Sequence, residues 1–184
     1  MMTKETLKFF FRDDARGAAA VEFALVALFL IGGLINAAEV GRYEYQLLQV
    51  ENAAEVGAQT AWSFCYNPNN TPPLMVPATT NCTNLNAELT TAIQSTNLGA
   101  AVTLASGYPA EGYYCINTST NALQLVGGVT SKPANCSAAG NASIGPGDYI
   151  QVGVSFTYTP LFTGMTVMGS SSQSIFRTSW MRLS

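Results

Sequence analysis

Gly17-Ala18-Ala19-Ala20-Val21-Glu22-Phe23-Ala24-Leu25-Val26 opens an apolar run that continues to Ala38, interrupted only by Glu22 and Asn36. The 21 residues from Ala18 to Ala38, at ~1.5 Å per residue, span the ~30 Å hydrocarbon core of a bilayer, which predicts a transmembrane helix. A carboxylate near the end of such a helix costs on the order of 2.5 kcal/mol or more unless it is paired or neutralised. Glu22 therefore marks a position that calls for a partner. The rival reading is a cleaved secretory signal peptide with Phe23 to Ile35 as its apolar core. Against it, Asn36-Ala37-Ala38 is a poor small-x-small cleavage site, and no Cys follows to make a lipobox.

Working outward, the basic residues Lys4, Lys8, Arg12 and Arg16 all precede the run. The positive-inside rule counts such residues rather than net charge, so the N-terminus is expected in the cytoplasm. After the run only Arg42, Lys132, Arg177 and Arg182 remain, which argues against a nucleic-acid partner. Charged residues make up 10% of the 184-residue chain, against roughly 25% in a typical soluble domain. Ser, Thr, Asn and Gly take their place.

Cys65, Cys82, Cys115 and Cys136 all lie beyond the run, where that orientation puts them outside the cytosol, and an even count there predicts two disulfides. A zinc site is the competing reading; the chain has no His and no CxxC to support it. The pairs Cys65 with Cys82 and Cys115 with Cys136 close the shortest loops, and the other two connectivities remain open.

Beyond Ala38 the helical period persists. Val40, Tyr43, Leu47, Val50, Ala54, Gly57 and Ala61 recur at three- and four-residue steps, while Glu39, Arg42, Glu44, Gln46, Glu51 and Asn52 fill the remaining surface. One helix from about Ala18 to Trp62 is expected, ended by Asn67-Pro68-Asn69-Asn70-Thr71-Pro72-Pro73. A short helix follows over Leu85 to Leu98 with Asn84 as N-cap. Alternation over Ala100 to Leu104, Gly112 to Thr118, Asn121 to Val126, Asp148 to Tyr158 and Ser172 to Leu183 predicts an antiparallel sheet, covered by the upper half of the long helix. The aromatic residues Trp62, Tyr113 and Tyr114 are read as core.

A short basic leader ending in Gly17, with Glu22 and Phe23 fifth and sixth after it, resembles the class III signal of type IV pilin-like proteins. More narrowly, the stretch from Arg16 to Ala61 is similar to TadE-like proteins of tight-adherence (Flp-type) pili. Glu39-Val40-Gly41-Arg42 matches that family's EFGR-like step, and Gly147 to Phe162 resembles its closing strand and Pro-Leu-Phe turn. The resemblance implies an α+β, pilin-like lollipop: a long N-terminal transmembrane helix packed on a small antiparallel sheet domain with two disulfides. Its parts would be a cytoplasmic leader (1–17), the transmembrane helix (18–38), an extracytoplasmic continuation (39–62) and a disulfide-bonded outer domain (63–184).

The same resemblance implies cleavage after Gly17 by a prepilin peptidase, which frees the amine of Ala18. A helix N-terminus already carries roughly +0.5 charge, so a Glu22 from a neighbouring subunit would pair there and set the register of a filament. Implied partners are other minor pilins, the major pilin, the inner-membrane assembly platform and membrane lipid. The implied place is the bacterial inner membrane, with the outer domain periplasmic. No cofactor is expected. Glu88, Glu111 and Asp148 are the carboxylates beyond the long helix, and they form no catalytic constellation with a base or nucleophile. The leading expectation is a minor pilin or pseudopilin that primes, caps or modulates pilus assembly. A tip-exposed adhesin-like module and an unprocessed membrane anchor are the alternatives.

Overall fold

The computed structural model describes residues 14–66 and 76–184, with side chains from Gly17 onward. Lys4, Lys8, Arg12, most of the expected leader and the Asn67-to-Pro73 breaker lie outside the described residues. The fold is α+β, with a long N-terminal apolar helix, a five-stranded antiparallel sheet and two disulfides. Two compact units form: Met1–Tyr43 with Thr159–Ser171, and Glu44–Tyr158 with Ser172–Ser184.

Helix α1 runs Asp14–Cys65, three residues past the expected end at Trp62. No proline interrupts it, and its Ala, Leu, Val and Glu content favours helix throughout. In the second unit its buried face is Val50, Ala53, Ala54, Gly57, Ala58, Ala61 and Cys65, a regular three-and-four spacing. Below that the expected seam is only partly covered: Tyr43 and Leu47 are half-buried and Val40 is 38% exposed, whereas Glu39, expected on the surface, is fully buried. Trp62 is also 44% exposed rather than core, because it sits one position off the buried row at Ala61. Tyr113 is buried, and Tyr114 is half-buried, edge-on to both Tyr149 and Trp180.

The sheet is built on one long strand. With β1 Val102–Leu104, β2 Ala110–Ile116, β3 Leu123–Gly128, β4 Gly147–Tyr158 and β5 Gln173–Arg182, strand β4 pairs with β5 from Tyr149 to Tyr158. Its other edge takes β2 at one end and β1 at the other, and β3 adds beyond β2. Ile150, Val152, Val154, Phe156 and Tyr158 alternate along β4 and are all buried, each contributing roughly 1.5–3 kcal/mol by leaving water. On the reverse face Gly153 leaves room for the Tyr108 ring, which a Cβ would meet at 2.6 Å.

Small corrections follow from local chemistry. Asn84 does precede a helix, α3 Leu85–Gln94, after the single turn α2 Ala78–Asn81, but its side chain makes no capping bond. With φ at 66° it is left-handed, whereas a side-chain cap uses an extended Ncap. Strand β3 starts at Leu123 rather than Asn121 because Asn117 Oδ1 accepts from the amides of Ser119 and Thr120, which folds 117–121 into a turn. Gly99–Ala101 is a 3₁₀ turn, which shortens β1 to three residues.

Cys65, the last residue of α1, is joined to Cys82, and Cys115 on β2 to Cys136. The enclosed separations of 17 and 21 residues correspond to ~3 kcal/mol each in the chain-entropy account. The second bond packs with Ala139 and Val126 as a small satellite core.

Candidate functional site

From Ala18 to Ala38 no side chain of α1 is buried, although an 18-residue window there has a mean hydropathy of 2.4. A helix with no buried side chain over this stretch is long and apolar enough to cross a membrane. Gly17 and Ala18 lie inside the helix, and Glu22 and Phe23 point from it unburied. Among the described residues none pairs with Glu22. Ala18 and Glu22 are four residues apart, about one turn or ~6 Å along the axis.

A second group was not legible as a site. Asn36, Glu39 and Arg42 stand at three-residue steps, a slanted row on α1, and together they hold the segment Thr159–Ser171. Glu39 accepts the amide of Leu161 at 3.1 Å on each carboxylate oxygen and that of Phe162 at 3.3 Å. Arg42 Nη1 donates to the Thr159 carbonyl at 2.9 Å and stands 3.8 Å from Glu39 Oε1. Asn36 Oδ1 accepts the Val167 amide at 2.7 Å, while its Nδ2 donates to the Gly32 carbonyl at 2.8 Å. Pro160 has no N–H, so Leu161 and Phe162 bring the next free amides after β4 and Thr159. Burying a carboxylate is tolerable when it is hydrogen-bonded and near a cation, which is the state of Glu39.

Residues 17–59 match the model of a family described as TadE-like protein. The match lies wholly within helix α1. Comparison with curated proteins and with solved structures gives no match. The TadE-like stretch contains Gly17, Ala18, Glu22 and Phe23, the whole Asn36–Glu39–Arg42 row, and the buried face as far as Ala58. The segment that the row holds lies outside the matched residues. The structure thus joins the Glu39-Val40-Gly41-Arg42 step of the matched stretch to the Pro160-Leu161-Phe162 turn, two stretches that the sequence shows only as separate resemblances. Glu39 reads as a surface residue because a Glu on a helix is ordinarily solvated; the signal that could have placed it inside was its position in the EFGR-like step.

Two carboxylates of the sheet, Glu111 and Asp148, have opposite surroundings. Glu111 on β2 accepts the Ala78 and Thr79 amides at 2.7 Å each and so caps α2, where Pro77 supplies no side-chain cap. Asp148 is buried, and neither of its carboxylate oxygens has a hydrogen-bond partner among the described residues. Burial first and the charge of Glu111 second push its carboxyl up to about 6, against the opposing pull of Lys132.

Since the folded value exceeds the ordinary 3.8, the folded chain holds this proton more tightly than the unfolded one. The resulting stability is present at low pH and is lost as pH rises through about 6. Asp148→Asn is expected to stabilise the chain at pH 7 by about 1–2 kcal/mol, a gain that fades as pH falls toward 4. Thermal unfolding in detergent at pH 4, 6 and 8 checks this; the same difference from the parent chain at all three would refute it.

Proposed function

We propose that this TadE-like protein is a minor pilin or pseudopilin that takes part in assembling a tight-adherence pilus after prepilin-peptidase cleavage following Gly17. The observation that carries the reading is the uncovered apolar helix of 18–38 with one carboxylate, Glu22, a turn from the new N-terminus, within a TadE-like match. In the inner membrane, with residues 1–17 cytoplasmic and the outer domain periplasmic, lipid covers that helix. In an assembly, neighbouring helices cover it instead. Glu22 then pairs with the Ala18 amine of an adjacent subunit, which relieves its desolvation and fixes the axial step. The partners are the peptidase, the other minor pilins and the major pilin, and the assembly platform.

The test is the N-terminus and intact mass of the membrane-extracted protein from strains with and without the peptidase. A peptidase-dependent start at Ala18 is expected. A start at Met1 in both strains would favour a permanent anchor, and one near Glu39 would remove the filament model. Glu22→Gln is expected to leave the disulfide-bonded domain folded while abolishing most co-assembly with other pilins, read by co-purification; undiminished co-purification would sink the register role.

A further inference from the structure

The segment Thr159–Ser171, between β4 and β5, contains no charged residue. Within it Leu161, Met165 and Val167 are 64%, 67% and 82% exposed. Several large apolar side chains presented together by one short segment form a surface that folded chains ordinarily cover. The hydrogen bonds described above fix its height along α1. Val167 is tied to Asn36, two residues inside the end of the apolar run at Ala38, and Leu161 is tied to Glu39, one residue beyond that end.

The segment therefore runs beside the last apolar turn. Its backbone is also prepared for a medium poor in water. Asn36 and Glu39 take the amides of Val167, Leu161 and Phe162, and Arg42 takes the Thr159 carbonyl. Turns within the segment pair Met165 N–H with the Phe162 carbonyl and Gly169 N–H with that of Thr166. Irregular backbone is excluded from lipid chiefly by unpaired polar groups, so pairing these five amides eases a shallow immersion in which the rest of the backbone stays at the headgroup level.

We infer that Thr159–Ser171 is a second membrane contact, a wedge that places Leu161, Met165 and Val167 at the headgroup and acyl-chain boundary of the outer leaflet beside α1. The occupant of this surface is bilayer lipid, because its height is continuous with the apolar run and it carries no charge to hold it out of the interface. The inference rests on the reading that residues 18–38 span the membrane, and the experiment separates the two.

The full chain, disulfides intact, is placed singly in lipid nanodiscs of phosphatidylcholine and phosphatidylglycerol. All four native cysteines are bonded, so a spin label attaches only to an introduced thiol. Labels on Met165→Cys and Val167→Cys are compared with Leu28→Cys in the run and Ser131→Cys on the outer domain, reading collision with oxygen against collision with a water-soluble nickel chelate. Positions 165 and 167 are expected to share the oxygen-rich, nickel-poor signature of position 28, with 131 reversed. Nickel access at 165 and 167 with a lipid signature at 28 overturns the wedge and leaves the membrane span standing. Nickel access at all three overturns both. Exclusion of both reagents at 165 and 167 means that protein covers the segment, which also overturns the lipid contact.

Discussion

Glu39→Ala releases Thr159–Ser171 from α1 while the sheet domain stays folded. The substitution removes the acceptor for the amides of Leu161 and Phe162 and leaves Arg42, 3.8 Å from the lost carboxylate, with only the Thr159 carbonyl among the bonds described above. Stranding part-buried donors costs ~1–3 kcal/mol each, so the local cost for two is roughly 2–6 kcal/mol. Amide hydrogen exchange in nanodiscs should then speed up by roughly 100-fold at Leu161 and Phe162, since each 1.4 kcal/mol is about tenfold. Asn36→Ala should act mainly on the Val167 amide, and Glu39→Gln should fall between the parent and Glu39→Ala because an amide oxygen still accepts. Unchanged exchange at Leu161 and Phe162 in Glu39→Ala would show that the carboxylate does not hold the segment.

Gly57→Leu is expected to damage the other unit. A Cβ at position 57 would stand 2.9 Å from Cγ1 of Val152 and 3.0 Å from Cγ2 of Ile93, where α1, α3 and β4 meet. A single methyl forces these side chains to shift, but replacing glycine in a helix returns up to ~1 kcal/mol of propensity, so Gly57→Ala should lie close to neutral. Leucine has no such room and should cost about 3 kcal/mol or more through overpacking. The denaturant midpoint of the full chain in detergent reads the loss. Adding Val152→Ala to Gly57→Leu should recover part of it, because the removed methyls face the new side chain. A midpoint equal to that of the parent chain in Gly57→Leu would contradict the close approach of α1 to β4.

These two positions also show what sequence alone can and cannot disclose. The face containing Gly57 was legible, because small and apolar residues at helical spacing and the alternation of Ile150 to Tyr158 both report local periodicity. Helix, strands and antiparallel sheet followed from that. Glu39 was misplaced because its partners are main-chain amides more than a hundred residues away, and an amide has no letter in a sequence. Trp62 was misplaced for a different reason: one position off a narrow buried row, residue type is a weaker guide than angle. Glu22 and Gly17 belong to a third category, since the roles proposed for them depend on groups outside the chain.

The order of elements along the chain also decides when this molecule can mature. The face of α1 is synthesised early, yet Gly57 waits for Val152, and β4 gains its long partner only when Gln173–Arg182, the last strand in chain order, arrives. Contacts of such wide separation close slowly. Until β5 arrives, the edge of β4 that it fills stays available to other chains, while β1 and β2, already made, can close the other edge. A chain that stops short of β5 has every described helix in hand and one edge of its longest strand unfilled.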